Sequence, residues 1–163
     1  MIDETQVEKK PVILFPINAN PPHMGHLIVI NMLLTLSSRL YVVLYDKMQV
    51  VSVEQSKLIF DAIFSHYITQ DKIKVITSSA DFAHLSSLPE NMTNGKVAVT
   101  IATTSKHIYA NLKAKEYPYV MLVKRPMGWC DEFYRISYIR SIILNQIEKA
   151  SWTKQTQRMI NKL

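Results

Sequence analysis

Asn18-Ala19-Asn20-Pro21-Pro22-His23-Met24-Gly25-His26-Leu27 lies between two apolar stretches, Pro11 to Ile17 and Leu27 to Leu36. The first stretch is short and reads as a buried strand, Val12 to Ile17. The second reads as a helix, with Ile28, Ile30, Leu33 and Leu34 at near-helical spacing. Two prolines favour a helix start just after them, because proline fixes φ and needs no backbone donor. His23 and His26 then fall at or in the first turn, three residues apart on one face. A helix N-terminus offers N–H groups and the positive end of the helix dipole, and an anion fits there. Two imidazoles add donors aimed at the same point. The stretch therefore reads as a phosphate-handling site.

The 163 residues suit one domain with a normal core, 1–163. Residues 1–10 are expected to form a frayed arm and 151–163 a final amphipathic helix. Hydrophobic content of 48% with 20% charged residues excludes a disordered chain. No apolar run approaches the roughly 18 residues of a membrane span, and the polar start is no secretory signal. The single cysteine, Cys130, rules out an internal disulfide and suits a reducing cytoplasm.

Charge is uneven. Residues 1–105 carry 8 basic and 9 acidic side chains, whereas residues 106–163 carry 11 and 4. A basic half can be an ordinary solvated surface, or it can serve a polyanion. No interleaved aromatic-basic pattern marks nucleic acid, so a nucleotide is the favoured anion and nucleic acid is not expected.

Further strands are predicted at Leu40–Tyr45, Ile73–Ile76, Val97–Ala102 and Tyr119–Val123. Ser52-Val53-Glu54-Gln55 has the form of a capping box, followed by a helix with Phe60, Ile63, Phe64 and Tyr67 on one face. Ser78 to Asn94 reads as loop with one helical turn at most, and Thr103 or Thr104 is expected to cap the helix through Leu112. Arg125–Tyr134 reads as loop and Ser137–Lys149 as helix. Alternation of strand and helix argues an α/β fold, a Rossmann-like doubly wound parallel sheet of five strands in order 3-2-1-4-5. Ligands bind such sheets outside the strand C-termini, where the strand order switches. The loops after strands 1, 4 and 5 would bring His23, His26, Thr103, Arg125, Ser137 and Arg140 to one edge.

Two histidines at i and i+3 also match a metal pair, but no third ligand lies close in sequence, so no metal site is expected. Hydroxyls at helix starts are ordinarily caps. Ser137 with Arg140 three residues on nevertheless combines a hydroxyl, N–H groups and a guanidinium, a set that suits a terminal phosphate. Trp129 reads either as a base-stacking ring or as a loop anchor.

Asn20-Pro21-Pro22-His23-x-Gly25-His26-Leu27 also resembles the HxGH signature of the nucleotidyltransferase superfamily, most closely in nicotinamide- and nicotinate-mononucleotide adenylyltransferases. Ser137-Tyr138-Ile139-Arg140 is similar to the end of that superfamily's second signature, ISSTxIR. Tyr134, Arg135 and Ile136 stand where the family has Ile-Ser-Ser. Val123-Lys124-Arg125-Pro126-x-Gly128 is similar to the family's V-x-R-P-G, and Lys47, Ser52 and Lys57 to its lysine and S-x-x-x-x-R helix. Thr103-Thr104 stands where the family carries an acidic residue, and Ile17 where it carries a glycine.

The resemblance implies transfer of AMP from ATP to nicotinamide or nicotinic acid mononucleotide, with release of pyrophosphate. It implies catalytic roles for His23, His26 and Arg140. ATP contacts would come from Ile17, Asn18, Gly25, Thr103, Arg125, Ser137 and Arg140. Lys47 and Trp129 would meet the phosphorylated acceptor, and Mg²⁺ would arrive on the nucleotide phosphates. Phosphopantetheine adenylyltransferases and cytidylyltransferases of the same superfamily remain alternatives, as does a noncatalytic nucleotide-binding relative. A homo-oligomer is compatible with everything above.

Overall fold

The computed structural model describes residues 9–19, 22–45, 52–78, 85 and 87–124. The elements run β1 (Val12–Ile17), α1 (Met24–Leu36), β2 (Arg39–Tyr45), α2 (Val53–Ile63), α3 (Ser65–Thr69), β3 (Ile73–Ser78), α4 (Leu88–Thr93), β4 (Val99–Thr103), α5 (Lys106–Ala114) and β5 (Val120–Leu122). All five strands are parallel and lie in the order β3-β2-β1-β4-β5. The predicted residues 125–163, including the Ser137 helix and the C-terminal helix, lie outside the described residues, as does the 1–8 part of the arm.

β1 is the middle strand, and its sequence shows why. Ile13, Leu14, Phe15 and Ile17 are all buried, so both faces of the strand must be covered. On one face Ile13, Phe15 and Ile17 join Leu40, Val42 and Leu44 of β2 and Ile73 and Val75 of β3. Val29, Ile30 and Leu33 of α1 and Val53 and Phe60 of α2 seal them. On the other face Leu14, Val43, Val99 and Ile101 pack with Leu85 and Leu112, with Leu88, Met92 and Ile108 against them. Helices therefore cover both faces, α1 and α2 on one and α4 and α5 on the other. This is the arrangement that right-handed crossovers impose when the chain winds 1-2-3 one way and 4-5 the other.

Pro16 sits in this central strand although proline has no N–H to donate. The β1–β4 ladder runs only from Val12↔Val99 to Leu14↔Ile101, whereas the β1–β2 ladder continues to Ile17↔Leu44. β1 has thus parted from β4 before Pro16 is reached.

Several boundaries differ from the sequence expectation. The first helix begins at Met24, just after the two prolines as expected and three residues ahead of its apolar run. The fourth strand begins at Val99, and Val97 is exposed. A short helix, α4, occupies part of the Ser78–Asn94 stretch, and a turn follows it, with Asn94 and Gly95 both at positive φ.

The predicted Phe60/Ile63/Phe64/Tyr67 face is only half right. The helix breaks at Phe64, which leaves helical geometry at φ −100, ψ 14. Phe60 and Phe64 stay buried and stack with centroids 6.3 Å apart, while Ile63 is 49% and Tyr67 37% exposed. Ile63 lies in α2 ahead of the break and Tyr67 in α3 beyond it, and neither joins the buried pair.

Tyr117 ties the far side of the sheet together. Its hydroxyl donates to the carbonyl of Val99 at 2.8 Å, linking the turn after α5 to the start of β4. Burial, and then the neighbouring Tyr119, raise the Tyr117 phenol above its ordinary value.

Phe60→Ala should lose about 3–5 kcal/mol in denaturant unfolding, and Ile63→Ala well under half of that. Since the folded state holds the Tyr117 proton more tightly than the unfolded chain, the neutral phenol's contribution is fully present below the ordinary tyrosine value of about 10 and is lost as pH rises through its raised folded value. The unfolding midpoint should fall on alkaline titration, and less steeply in Tyr117→Phe.

Candidate active site

All five strands being parallel, their C-terminal ends lie at one edge of the sheet. β1 sits between β2, reached next in the chain, and β4, reached after the crossover. The crevice between the loops after β1 and β4 is therefore the switch point where parallel sheets take ligands. The β1–β4 ladder stops at Leu14↔Ile101, before either strand ends.

His23 and His26 stand at that crevice. His23 is the N-cap of α1, with extended backbone at φ −148, ψ 168, and its carbonyl accepts the N–H of His26 at 3.0 Å. Its Nδ1 accepts the Gly25 N–H at 3.1 Å. Nδ1 of His26 accepts the N–H of His23 at 3.3 Å. The two rings lie with centroids 3.7 Å apart at an angle of 31°, both half-buried. The expectation that the two imidazoles share one face of the first helical turn is met.

The first turn of α1 contains no acidic residue, whereas that of α2 contains Glu54. The positive end of the α1 dipole is thus not countered by a carboxylate of its own turn.

Ile17 is buried at the end of β1, Asn18 is half-buried beyond it, and Ala19 is buried again. Gly25 contributes its N–H to the cap described above. Thr103 ends β4 with its side chain buried, and its Oγ1 accepts the Ser105 N–H at 3.1 Å. The cap of α5 is Ser105, whose Oγ accepts the Ile108 N–H at 3.3 Å; neither Thr103 nor Thr104 caps the helix as expected. The Thr103 carbonyl accepts the Val123 N–H at 2.8 Å, so the chain leaves β5 at the same edge as the histidines, through Lys124.

Ser52 and Gln55 form the predicted capping box on α2. Lys57 is ion-paired with Asp61 one turn on, in an open groove that Lys74 to Thr77 of β3 also line. The structure thus takes Lys57 to the outer edge of the sheet, two strands away from β1. Lys47, Arg125, Trp129, Ser137 and Arg140 lie outside the described residues.

Among the described residues no group of three or more His, Cys, Asp or Glu side chains is placed to hold a metal. No described helix is long and apolar enough to cross a membrane. Sequence reasoning missed two features near that edge, the end of β1–β4 pairing ahead of Pro16 and the Ser105 cap of α5. Pro16 carried a readable signal, since a proline inside an otherwise central strand marks a place where pairing stops. No protein-family model matches the chain, and comparison with curated proteins finds no relative.

Proposed function

We propose that the chain is a nucleotidyltransferase that moves AMP from ATP to a mononucleotide, nicotinamide or nicotinic acid mononucleotide, and releases pyrophosphate. The observation that carries this reading is the close His23/His26 ring pair at the N-terminus of α1, at the switch point of a parallel sheet. The acceptor and the acidic-residue-free helix start are matched in charge: a phosphate is drawn to main-chain N–H groups and the positive end of a dipole.

In the reaction an oxygen of the acceptor's phosphate attacks the α-phosphorus of ATP. The bond from that phosphorus to the α–β bridging oxygen breaks, and pyrophosphate leaves with the electron pair. The attacking oxygen is already an anion, so no strong base is needed. The barrier is the cost of bringing anions together and of charge growing on the leaving group. Hydrogen bonds from His23 and His26 to those oxygens lower it.

The resemblance gives Ser137 and Arg140 to the β- and γ-phosphates, Arg125 or Lys47 to the acceptor phosphate and Trp129 to a base. The donor set at the crevice is imidazole and main-chain N–H, which suits an anion rather than a hard cation. Mg²⁺ accordingly belongs on the nucleotide phosphates, mostly through water.

A pyrophosphate-release screen with ATP and CTP against nicotinamide mononucleotide, nicotinic acid mononucleotide and phosphopantetheine tests the reading. Turnover is expected with ATP and one of the two mononucleotides, and His26→Ala should slow it by roughly two orders of magnitude or more with the fold retained. ATP binding with no pyrophosphate release from any acceptor would replace this reading with a noncatalytic nucleotide-binding one.

A further inference from the structure

The helices after β1 and β2 open with the same pair of reciprocal bonds. In α2 the Ser52 N–H donates to Oε1 of Gln55 at 3.1 Å, and the Gln55 N–H donates to Oγ of Ser52 at 3.1 Å. In α1 the same two tasks fall to imidazoles: the His23 N–H donates to Nδ1 of His26 at 3.3 Å, and the Gly25 N–H to Nδ1 of His23 at 3.1 Å. Serine and glutamine suffice to start a helix in this fold. Capping therefore does not account for the rings.

What an imidazole adds is a second nitrogen whose state the first one decides. A ring nitrogen that accepts a hydrogen bond carries no hydrogen, and a neutral imidazole has a single N–H. We infer that the reciprocal cap of α1 is a tautomer lock: it holds both His23 and His26 with the hydrogen on Nε2, and the His23 main chain positions His26 as a donor.

The lock has a chemical consequence. Two rings with centroids 3.7 Å apart and tilted at 31°, both in one tautomer, carry one like N–H donor each. They match a ligand with two neighbouring anionic oxygens, as on the linked phosphates of a polyphosphate. They do not match a cation, since both lone pairs are spent within the cap. This ligand assignment rests on the function proposed above. The tautomer assignment rests only on the two Nδ1 bonds.

Long-range ¹H–¹⁵N NMR of the ¹⁵N-labelled chain at mildly alkaline pH reads the tautomers directly. The expected signature is a pyrrole-type Nε2 and a pyridine-type Nδ1 in both rings. An Nδ1–H tautomer in either ring overturns the lock.

A second arm copies the pair of α2 into α1 with the double substitution His23→Ser, His26→Gln. The melting temperature should stay within roughly 3 °C of the parent, since the cap is kept. Calorimetric affinity for ATP and for inorganic pyrophosphate should fall roughly tenfold or more, since both Nε2 donors are gone. Undiminished affinity overturns the paired-donor role. If the parent itself binds neither ATP nor pyrophosphate, the proposed function fails, while the tautomer lock is still decided by the NMR signature alone.

Discussion

The structure depends on β1 having two different neighbours and leaving one of them early. A strand buried on both faces must be paired on both edges, because an orphaned backbone donor or acceptor in the core costs about as much as a lost hydrogen bond. β1 meets this demand through β2 along its whole length and through β4 over only its first half. Pro16 makes the asymmetry chemically cheap, because a residue without an N–H leaves no donor stranded where β4 has gone. The parting of β1 from β4 thus coincides with a covalent feature of one residue in the middle of the sheet.

The same topology fixes the electrostatics of that edge. In a parallel sheet every helix that follows a strand starts at the strand's C-terminal end, so α1, α2 and α5 all present their N-termini there. Glu54 counters the dipole in α2, while the first turns of α1 and α5 contain no acid. The lysines of residues 106–124 divide by the same rule. Lys106 heads α5 and Lys124 follows β5, both at this edge, whereas Lys113 and Lys115 fall at the far end of α5. Backbone dipoles and the two lysines thus add at this edge, while the ion pairs Arg39–Asp71 and Lys57–Asp61 are committed elsewhere.

How much of this was legible in the sequence depends on the range of the interaction that decides it. The strand order, the two-proline helix start and the Ser52/Gln55 box were readable, since each rests on hydrophobic pattern or on chemistry within a few residues. The cap of α5 was misread because Thr103, Thr104 and Ser105 are chemically similar candidates. Only the length of β4 decides among them: the strand claims Thr103, whose hydroxyl then supports the backbone of Ser105. The Tyr67 part of the predicted face was misread because the helix period is a local rule and α2 ends at Phe64, before Tyr67 is reached. The His23/His26 pair was legible as residues but not as geometry. Spacing puts two rings on one face, and it says nothing of which nitrogen of each ring the helix will use.

That last distinction bears on why histidine stands at both positions. A cap needs an acceptor of the right reach, and several side chains provide one. A donor to a ligand needs a hydrogen that stays in place as the ligand's charge shifts. Imidazole is the side chain that can do both at once, because its two nitrogens are rigidly opposed on one ring and the state of one dictates the other. Joining the two tasks means that the bonds which start α1 also orient the groups facing the crevice, so helix formation and site assembly become a single event. A site built this way loses little entropy on binding, since its donors are fixed by the main chain before any anion arrives.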